Sequence, residues 1–463
     1  MAQGTTMHIH ILGICGTFMG SLAQLAKQQG HHVTGSDAKV YPPMSDQLKK
    51  AGIPFVDSYK PDQFQPRPDL VVVGNALSRG NPCVESMLDL QLAHVSGPEW
   101  LGANILANRH VISVAGTHGK TTTASMIVAI LSRAGLDPGY LIGGVPINKE
   151  ISATLGGGQY FVVEADEYDC AFFDKRSKFI HYRSNTLVIN NIEFDHADIF
   201  PDLEAIETQF HHLLRTLPSN VNIIYPDDDK VIKALIDKGC WSKSVSHSND
   251  GCNWQYRLIK EDVSSFEVRF SDGLNPFNSG RVNWDQFGLH NVRNAMSAII
   301  AAHQVGVSIE DSCAALGDFS GVMRRMQIIF QRGNFTLYDD FAHHPTAIAA
   351  SLGGLRARVG DTKIITVIEP GSATMRRGFH GKNLALSLED SDQVFWYLGP
   401  EVLWDAADLM SFTDVNFKVF RVLEDLIDSC LLAAKSDAHM VIMSNTGFQG
   451  FQERILTRLR SQE

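Results

Sequence analysis

The sequence predicts an α/β protein made of three consecutive α/β domains, and three observations carry that expectation. At 463 residues the chain is too long for one hydrophobic core. Short apolar runs ending in glycine-containing or polar loops alternate with helical patterns along the chain. No long linker, internal repeat or low-complexity tract interrupts that rhythm.

The first domain, residues 1–108, opens with the strand MHIHIL (7–12), which ends in GICGTFMG and leads into the helix LAQLAKQQG. A second strand, HHVTGSD, ends at Asp37, about twenty residues after the glycine loop, as in nucleotide-binding Rossmann-like folds. Gly13, Gly16 and Gly20 do not keep the strict G-x-G-x-x-G spacing. A third strand, DLVVVGNALSRGN, has the apolar VVV run of a strand buried on both faces.

The second domain, residues 109–326, starts with VISVAGTHGKTTT (111–123), an apolar strand running into a glycine-turned loop and the amphipathic helix SMIVAILSRAG. Parallel-type strands follow in QYFVVEAD, ending at Glu164, and TLVINNIEFDH, ending near His196. Between about 240 and 285 the alternating segments WQYRLIKED and SFEVRF predict an antiparallel excursion. The helix HNVRNAMSAIIAAHQVG closes the domain. The third domain, 327–463, has the strands FTLYDD, KIITVIEP, DQVFWYLG and HMVIMSNTG between helical patterns.

A hydrophobic content of 44% with 20% charged residues is that of a globular chain. The net charge of −11, from 51 acidic and 40 basic residues, argues against a nucleic-acid or anionic-membrane surface. Seven scattered cysteines without C-x-x-C spacing predict reduced thiols. There is no signal-peptide pattern and no apolar run long enough to cross a bilayer. A cytoplasmic protein without nucleic-acid, membrane or obligate protein partners is expected.

The loop at 116–121 carries the most chemistry. Backbone N–H groups from Gly116 to Gly119 at a helix start form an anion site suited to ATP phosphates. Thr117, His118 and Thr122 flank it, Lys120 would reach the terminal phosphates, and the Thr121 hydroxyl would hold Mg²⁺. The general G-x-x-x-x-G-K-[ST] pattern wants glycine at 114, where this chain has Val114; Gly116 serves instead, in a shortened loop.

Ligands in open α/β sheets collect beyond the carboxyl ends of the strands, which groups Glu164, Asn190, Asn191 and His196 around that loop. Glu164 reads as a metal-side acid or as a helix N-terminal acid. His196 reads as a ligand or a structural histidine, and Asp166, Glu167 and Asp169 as a solvated acidic turn. Asn291 and Asn294 suit an adenine edge or a helix cap, and Arg324 and Arg325 a transferring phosphate or a surface pair. Asp339, Asp340, His343 and His344 in YDDFAHHPTAI invite a metal reading, but equally an ordinary strand-to-helix loop. In the first domain, Ser78 and Arg79 suit a diphosphate and Asp37 a ribose or base.

The ordered motifs GTHGKTTT, EADEYD, NNIEFDH, GLHNVRNA, SGVMRRMQ and DDFAHHPTA resemble those of the Mur ligase family, with ILGICGTFMG and GNALSRGN extending the likeness to the first domain. The resemblance implies a central P-loop ATPase-like domain between two Rossmann-like domains, and amide formation through an acyl phosphate. It gives Lys120, Glu164, His196 and Arg325 catalytic roles. Thr121 and Glu164 would hold one Mg²⁺, with a second near His196. ATP would also meet Asn291, Asn294, Asp340 and His343. Gly13, Cys15, Gly16, Asp37, Asn75, Ser78 and Arg79 fall to the UDP-sugar. Family members that carry a carbamylated lysine place it after the D-H motif, but this chain has no lysine between Lys178 and Lys230.

The runs YPPMS, SRGNPCVE and CAFFDKRSKF are similar to one branch of the family. That branch joins UDP-N-acetylmuramate to the murein tripeptide L-alanyl-γ-D-glutamyl-meso-diaminopimelate in peptidoglycan recycling. The alternative is the branch that adds L-alanine. EPGSATMRRG and SNTGFQG depart from the family's E-P-R-S-N-T-M and S-N-G-G-F-G-G, leaving Ser372, Arg376 and Asn445 as peptide-side candidates. The resemblance further implies that the third domain closes on ATP, bringing Arg376 and Asp340 to the loop. A small-molecule kinase and a non-catalytic UDP-sugar sensor are the readings outside ligase chemistry.

Overall fold

The computed structural model describes residues 6–40, 44–147, 151–273, 278–405 and 407–461; Tyr41–Pro43 of the YPPMS run lie outside them. Three sheets carry the chain. The first contains β1 (His8–Leu12), β2 (His32–Ser36), β3 (Phe55–Val56), β4 (Leu70–Val73) and β5 (His94–Ser96). Its order is β3-β2-β1-β4-β5 and every pairing is parallel. The connection reverses direction between β1 and β4, so a ligand crevice opens beyond their carboxyl ends. Gly13–Gly16 and Asn75–Arg79 follow those two ends.

The second sheet has β6 (His110–Ala115), β7 (Gly139–Leu141), β8 (Ala153–Thr154), β9 (Tyr160–Glu164), β12 (Thr186–Ile189) and β13 (Asn222–Pro226). β14 (Lys243–Ser248), β15 (Trp254–Leu258), β16 (Ser265–Phe270) and β17 (Asn278–Asn283) extend it. A separate hairpin, β10 (Asp169–Ala171) and β11 (Asp174–Ser177), leaves the sheet after β9. The order is β17-β16-β15-β14-β13-β12-β6-β9-β7-β8, with β6 between β12 and β9 at the centre. The antiparallel excursion is narrower than the sequence suggests: β14 runs parallel to β13, and only β15 to β17 are antiparallel to one another.

The helix Lys120–Arg133 is not amphipathic as expected. It is buried from Thr121 through Val128, because it packs between the sheet and the helix Leu289–His303, and it is exposed only near Arg133. A helix buried on nearly all sides belongs in the interior of a layered fold.

The third sheet has β18 (Gln327–Arg332), β19 (Phe335–Asp340), β20 (Ile364–Ile368), β21 (Gln393–Tyr397), β22 (Asn416–Phe420) and β23 (Ala438–Met443). Its order is β18-β19-β23-β20-β21-β22, parallel except at the β18–β19 hairpin.

Apolar packing continues between the units. Trp100 and Leu101 share a cluster with Phe179 and Tyr182, and Phe172, from the β10–β11 turn, packs on the first sheet's core beside Leu77 and Cys83. Phe287 meets Tyr338 edge to face at 6.3 Å. All seven cysteines are free thiols. Among the described residues, no helix is long and apolar enough to cross a membrane.

Candidate active site

β6 delivers the chain into a loop that only glycine can build. Gly116 has φ +125° and Gly119 φ +79°. A Cβ would lie 2.9 Å from Asn191 O at the first and 2.6 Å from Asn294 Oδ1 at the second. Gly116→Ala combines a left-handed strain with a backbone clash, so it should cost more than about 1 kcal/mol and misshape the anion site. Urea unfolding together with ATP binding measures both effects.

Lys120 begins the following helix, and its Nζ donates to Gly116 O at 2.6 Å. The Thr121 hydroxyl donates to the Glu164 carboxylate, 3.0 Å from each oxygen, and Gly143 N–H donates to Glu164 Oε2 at 2.7 Å. The loop rests on β12: His118 N–H donates to Asn191 Oδ1 at 2.8 Å, and Asn190 Nδ2 to Thr123 Oγ1 at 3.1 Å.

Glu167 corrects the solvated-turn expectation. It is 1% exposed, lying 3.4 Å from Lys120 Nζ and 3.1 Å from His196 Nε2. Burial pushes its carboxyl up, but Lys120 and His196 outweigh that and hold it at about 2. Burial lowers Lys120 and His196, and Glu167 raises both above their ordinary values. Asp166 pairs with the buried Lys178 at 3.0 Å and Asp169 with the exposed Lys175 at 2.6 Å.

His196 is held in left-handed backbone (φ +59°), with Nδ1 bonded to the Tyr168 hydroxyl at 2.6 Å. Its two ring nitrogens thus face Tyr168 and Glu167, apart from the Thr121–Glu164 pair. The structure therefore brings two of the three expected metal ligands together and holds the third in a separate network. Hard oxygen donors at Thr121 and Glu164 suit Mg²⁺.

The two adjacent arginines divide their work. Arg325 is half-buried with its guanidinium 4.9 Å from the Phe341 ring centre, and desolvation lowers it against the pull of Asp340. Arg324 instead donates to Ser444 O at 2.7 Å and Thr446 O at 3.0 Å, tying down the third sheet. Asp340 is buried, and its Oδ2 has no hydrogen-bond partner. His343 shares its Nδ1 with Phe341 O at 2.9 Å, and its Nε2 lies 3.7 Å from Asp195.

A cavity of about 1130 Å³ unites the loop, Glu164, His196, Asn291, Asn294, Arg325, Asp340 and His343. Neither asparagine is a helix N-cap: Gly288 holds that position, and Asn291 donates back to Phe287 O at 2.9 Å. Asn294 is buried and packs against the loop at Gly119.

The third unit already meets the centre. Thr374 Oγ1 donates to Asp195 at 2.9 Å and Thr346 Oγ1 to Glu193 at 2.6 Å. Asp340 thus lines the cavity, whereas Arg376 is ion-paired with Glu401. Ser372 caps the helix Ala373–Arg376, and of the three peptide-side candidates only Asn445 lines the cavity.

In the first unit, Asp37 accepts from Cys15 N–H at 2.9 Å and Lys39 N–H at 3.0 Å, buttressing the glycine loop. Arg79 is solvent-exposed in a bidentate pair with Glu85. Sequence reasoning missed Glu167, Tyr168, Glu193 and Asp195; the acid-rich EADEYD and NNIEFDH runs were the available signal.

Desolvation lowers His10, His290 and His343 to about 4, and His247 and His344 to about 3. The unfolded chain protonates them near 6.5 and the folded one does not. Stability should therefore fall as pH drops from 6.5 toward 4, by up to about 1.4 kcal/mol per pH unit for each histidine. His196, whose value is raised, works oppositely above 6.5. Calorimetric melting between about pH 7 and pH 5 reads the net slope.

Family models match all three units: "Mur ligase family, catalytic domain" over 8–109, "Mur ligase middle domain" over 114–302, and "Mur ligase, glutamate ligase domain" over 324–446. The chain belongs to the Mur ligase family. It is 48% identical to the Escherichia coli UDP-N-acetylmuramate–L-alanyl-γ-D-glutamyl-meso-2,6-diaminoheptandioate ligase over 98% of each chain. The crystal structure of a murein peptide ligase from Psychrobacter arcticus is 46% identical, with a TM-score of 0.76 over 97% of this chain and 98% of that one. A UDP-N-acetylmuramate–L-alanine ligase from Arthrobacter is 32% identical over 80% of this chain and 77% of its own length.

Proposed function

We propose that this Mur ligase joins UDP-N-acetylmuramate to the tripeptide L-alanyl-γ-D-glutamyl-meso-diaminopimelate at the expense of ATP, as a cytoplasmic peptidoglycan-recycling enzyme. The observation that carries the substrate choice is near full-length identity of 48% to the tripeptide ligase, against 32% over 80% of the chain to an alanine ligase. We assign the sugar to residues 1–108, ATP to 109–326 and the peptide to 327–463.

In this reading the lactyl carboxylate of the sugar attacks the γ-phosphorus of ATP, expelling ADP and forming an acyl phosphate. The alanine amine then attacks the carbonyl, loses its proton, and phosphate leaves. Two anions must approach for the first step, so fixed positive charge sets the barrier. Lys120 and Arg325 face the cavity and supply that charge. Mg²⁺ held by Thr121 and Glu164 would add further charge at the phosphates. Asn291 and Asn294 fall to adenine, and Asp340 and His343 to the far side of the nucleotide. The first-sheet crevice takes the UDP group, with Gly13, Cys15 and Gly16 against Asn75, Ser78 and Arg79 across the switch point. Ser372, Arg376 and Asn445 are assigned to the peptide; for Arg376 this requires exchange of its Glu401 partner.

Protein supplied with ATP, Mg²⁺ and UDP-N-acetylmuramate should release phosphate with tripeptide and not with L-alanine. Release with L-alanine alone would transfer the assignment to the alanine-adding branch. A stable phosphorylated product formed without any amine would make it a kinase.

A further inference from the structure

A second group of ligands lies outside the Thr121–Glu164 pair. His118 from the phosphate loop, Glu193 after β12 and His344 after β19 each present one donor atom, all within 4.8 Å of one another. His118 Nε2 is buried and makes no hydrogen bond, at 3.5 Å from Glu193 Oε2. His344 Nδ1 lies 3.4 Å from the same oxygen.

The donor set is shaped for coordination. His344 Nε2 is 3.3 Å from Phe194 O, a bond that fixes the proton on Nε2 and turns the Nδ1 lone pair toward Glu193. A ring nitrogen held by a backbone carbonyl is the usual outer support of a metal-bound imidazole. Nδ1 here accepts a long bond from Thr346 N–H at 3.3 Å, which an ion bound at Nδ1 would replace. Thr346 Oγ1 donates to Glu193 Oε2 at 2.6 Å, orienting the carboxylate. The His380 ring lies 4.6 Å from that of His344, and its buried Nε2 makes no hydrogen bond.

We propose that His118, Glu193 and His344 form a site for a borderline divalent transition-metal ion of the Zn²⁺ class, with His380 or water completing the coordination. Two imidazoles and one carboxylate select Zn²⁺ or Co²⁺ over Mg²⁺, which takes oxygen donors. The ligands come from the phosphate loop, the central sheet and the third unit, so a bound ion staples the third unit onto the loop. The site stands whether or not the ligase reading does.

Full-length protein stripped with chelator is titrated with Zn²⁺ by calorimetry, and with Co²⁺ by visible absorption, in excess Mg²⁺. One equivalent should bind, and Zn²⁺ should raise the melting midpoint. His344→Asn and Glu193→Gln should each weaken binding at least about tenfold and remove the Zn²⁺-dependent rise in melting midpoint. Asparagine is itself a good helix N-cap, so His344→Asn keeps the helix start that His344 now caps. Glu164→Gln should leave Zn²⁺ binding unchanged. Binding lost in Glu164→Gln but kept in His344→Asn would place the ion at the other pair and overturn the proposal. Absence of saturable binding in excess Mg²⁺ would overturn it too.

Discussion

Replacing Lys120 by alanine should lower kcat for ligation at least about 10³-fold while leaving UDP-N-acetylmuramate binding nearly unchanged. The first chemical step brings a carboxylate onto a triphosphate, and Lys120 is the cation rooted in the loop that would cradle those phosphates. Two unit charges about 4 Å apart interact by about 4 kcal/mol at an effective dielectric near 20. Lost from the transition state, that amount corresponds to about 10³ in rate. The sugar crevice lies on a different sheet and does not feel the change directly. Lys120→Ala also strips the buried Glu167 of one of its two cationic partners, so the melting midpoint should fall as well. Calorimetric binding of the sugar nucleotide shows that the first unit is intact. Turnover near the parent rate in the same preparation would sink the assignment of Lys120 to phosphate activation.

What could be read in the sequence was what is local. The loop at 116–121 was legible because its chemistry lies within one short segment, with the strand before it and the helix after it both encoded by adjacent residues. Glu164 was legible because a strand end in an open sheet has a predictable address. Glu167 was not, because its burial depends on Lys120 arriving from the helix after the phosphate loop and His196 from the loop after β12, and three clustered acids on paper look like a solvated turn. The split between Arg324 and Arg325 was equally hidden, since it depends on the carbonyls of Ser444 and Thr446. The seam between Glu193–Asp195 and Thr346–Thr374 joins residues more than 150 apart. No spacing rule reaches that far. The amphipathic reading of the Lys120–Arg133 helix failed for a related reason: the helix Leu289–His303 covers the side expected to face water.

Glu167→Gln should cut kcat about 10²-fold at mildly basic pH and move the basic limb of the rate profile to lower pH. Glutamine keeps the size of the side chain but removes the charge that outweighs burial at Lys120. A lysine in a desolvated site without its counter-ion loses its proton more readily, and the loss can reach several pKa units at full burial. Lys120 must be protonated to neutralise phosphate, so activity would survive best on the acid side. His196 also loses its strongest supporting partner and should titrate lower, which histidine NMR signals can follow. These two shifts separate electrostatic positioning from packing. A variant with lower kcat but an unmoved pH profile and unmoved His196 titration would assign Glu167 a purely structural role. An unchanged kcat would remove it from the site altogether. Restoring charge with Glu167→Asp should recover the pH profile more fully than the rate, because the shorter side chain returns the charge without the 3.1 Å reach to His196.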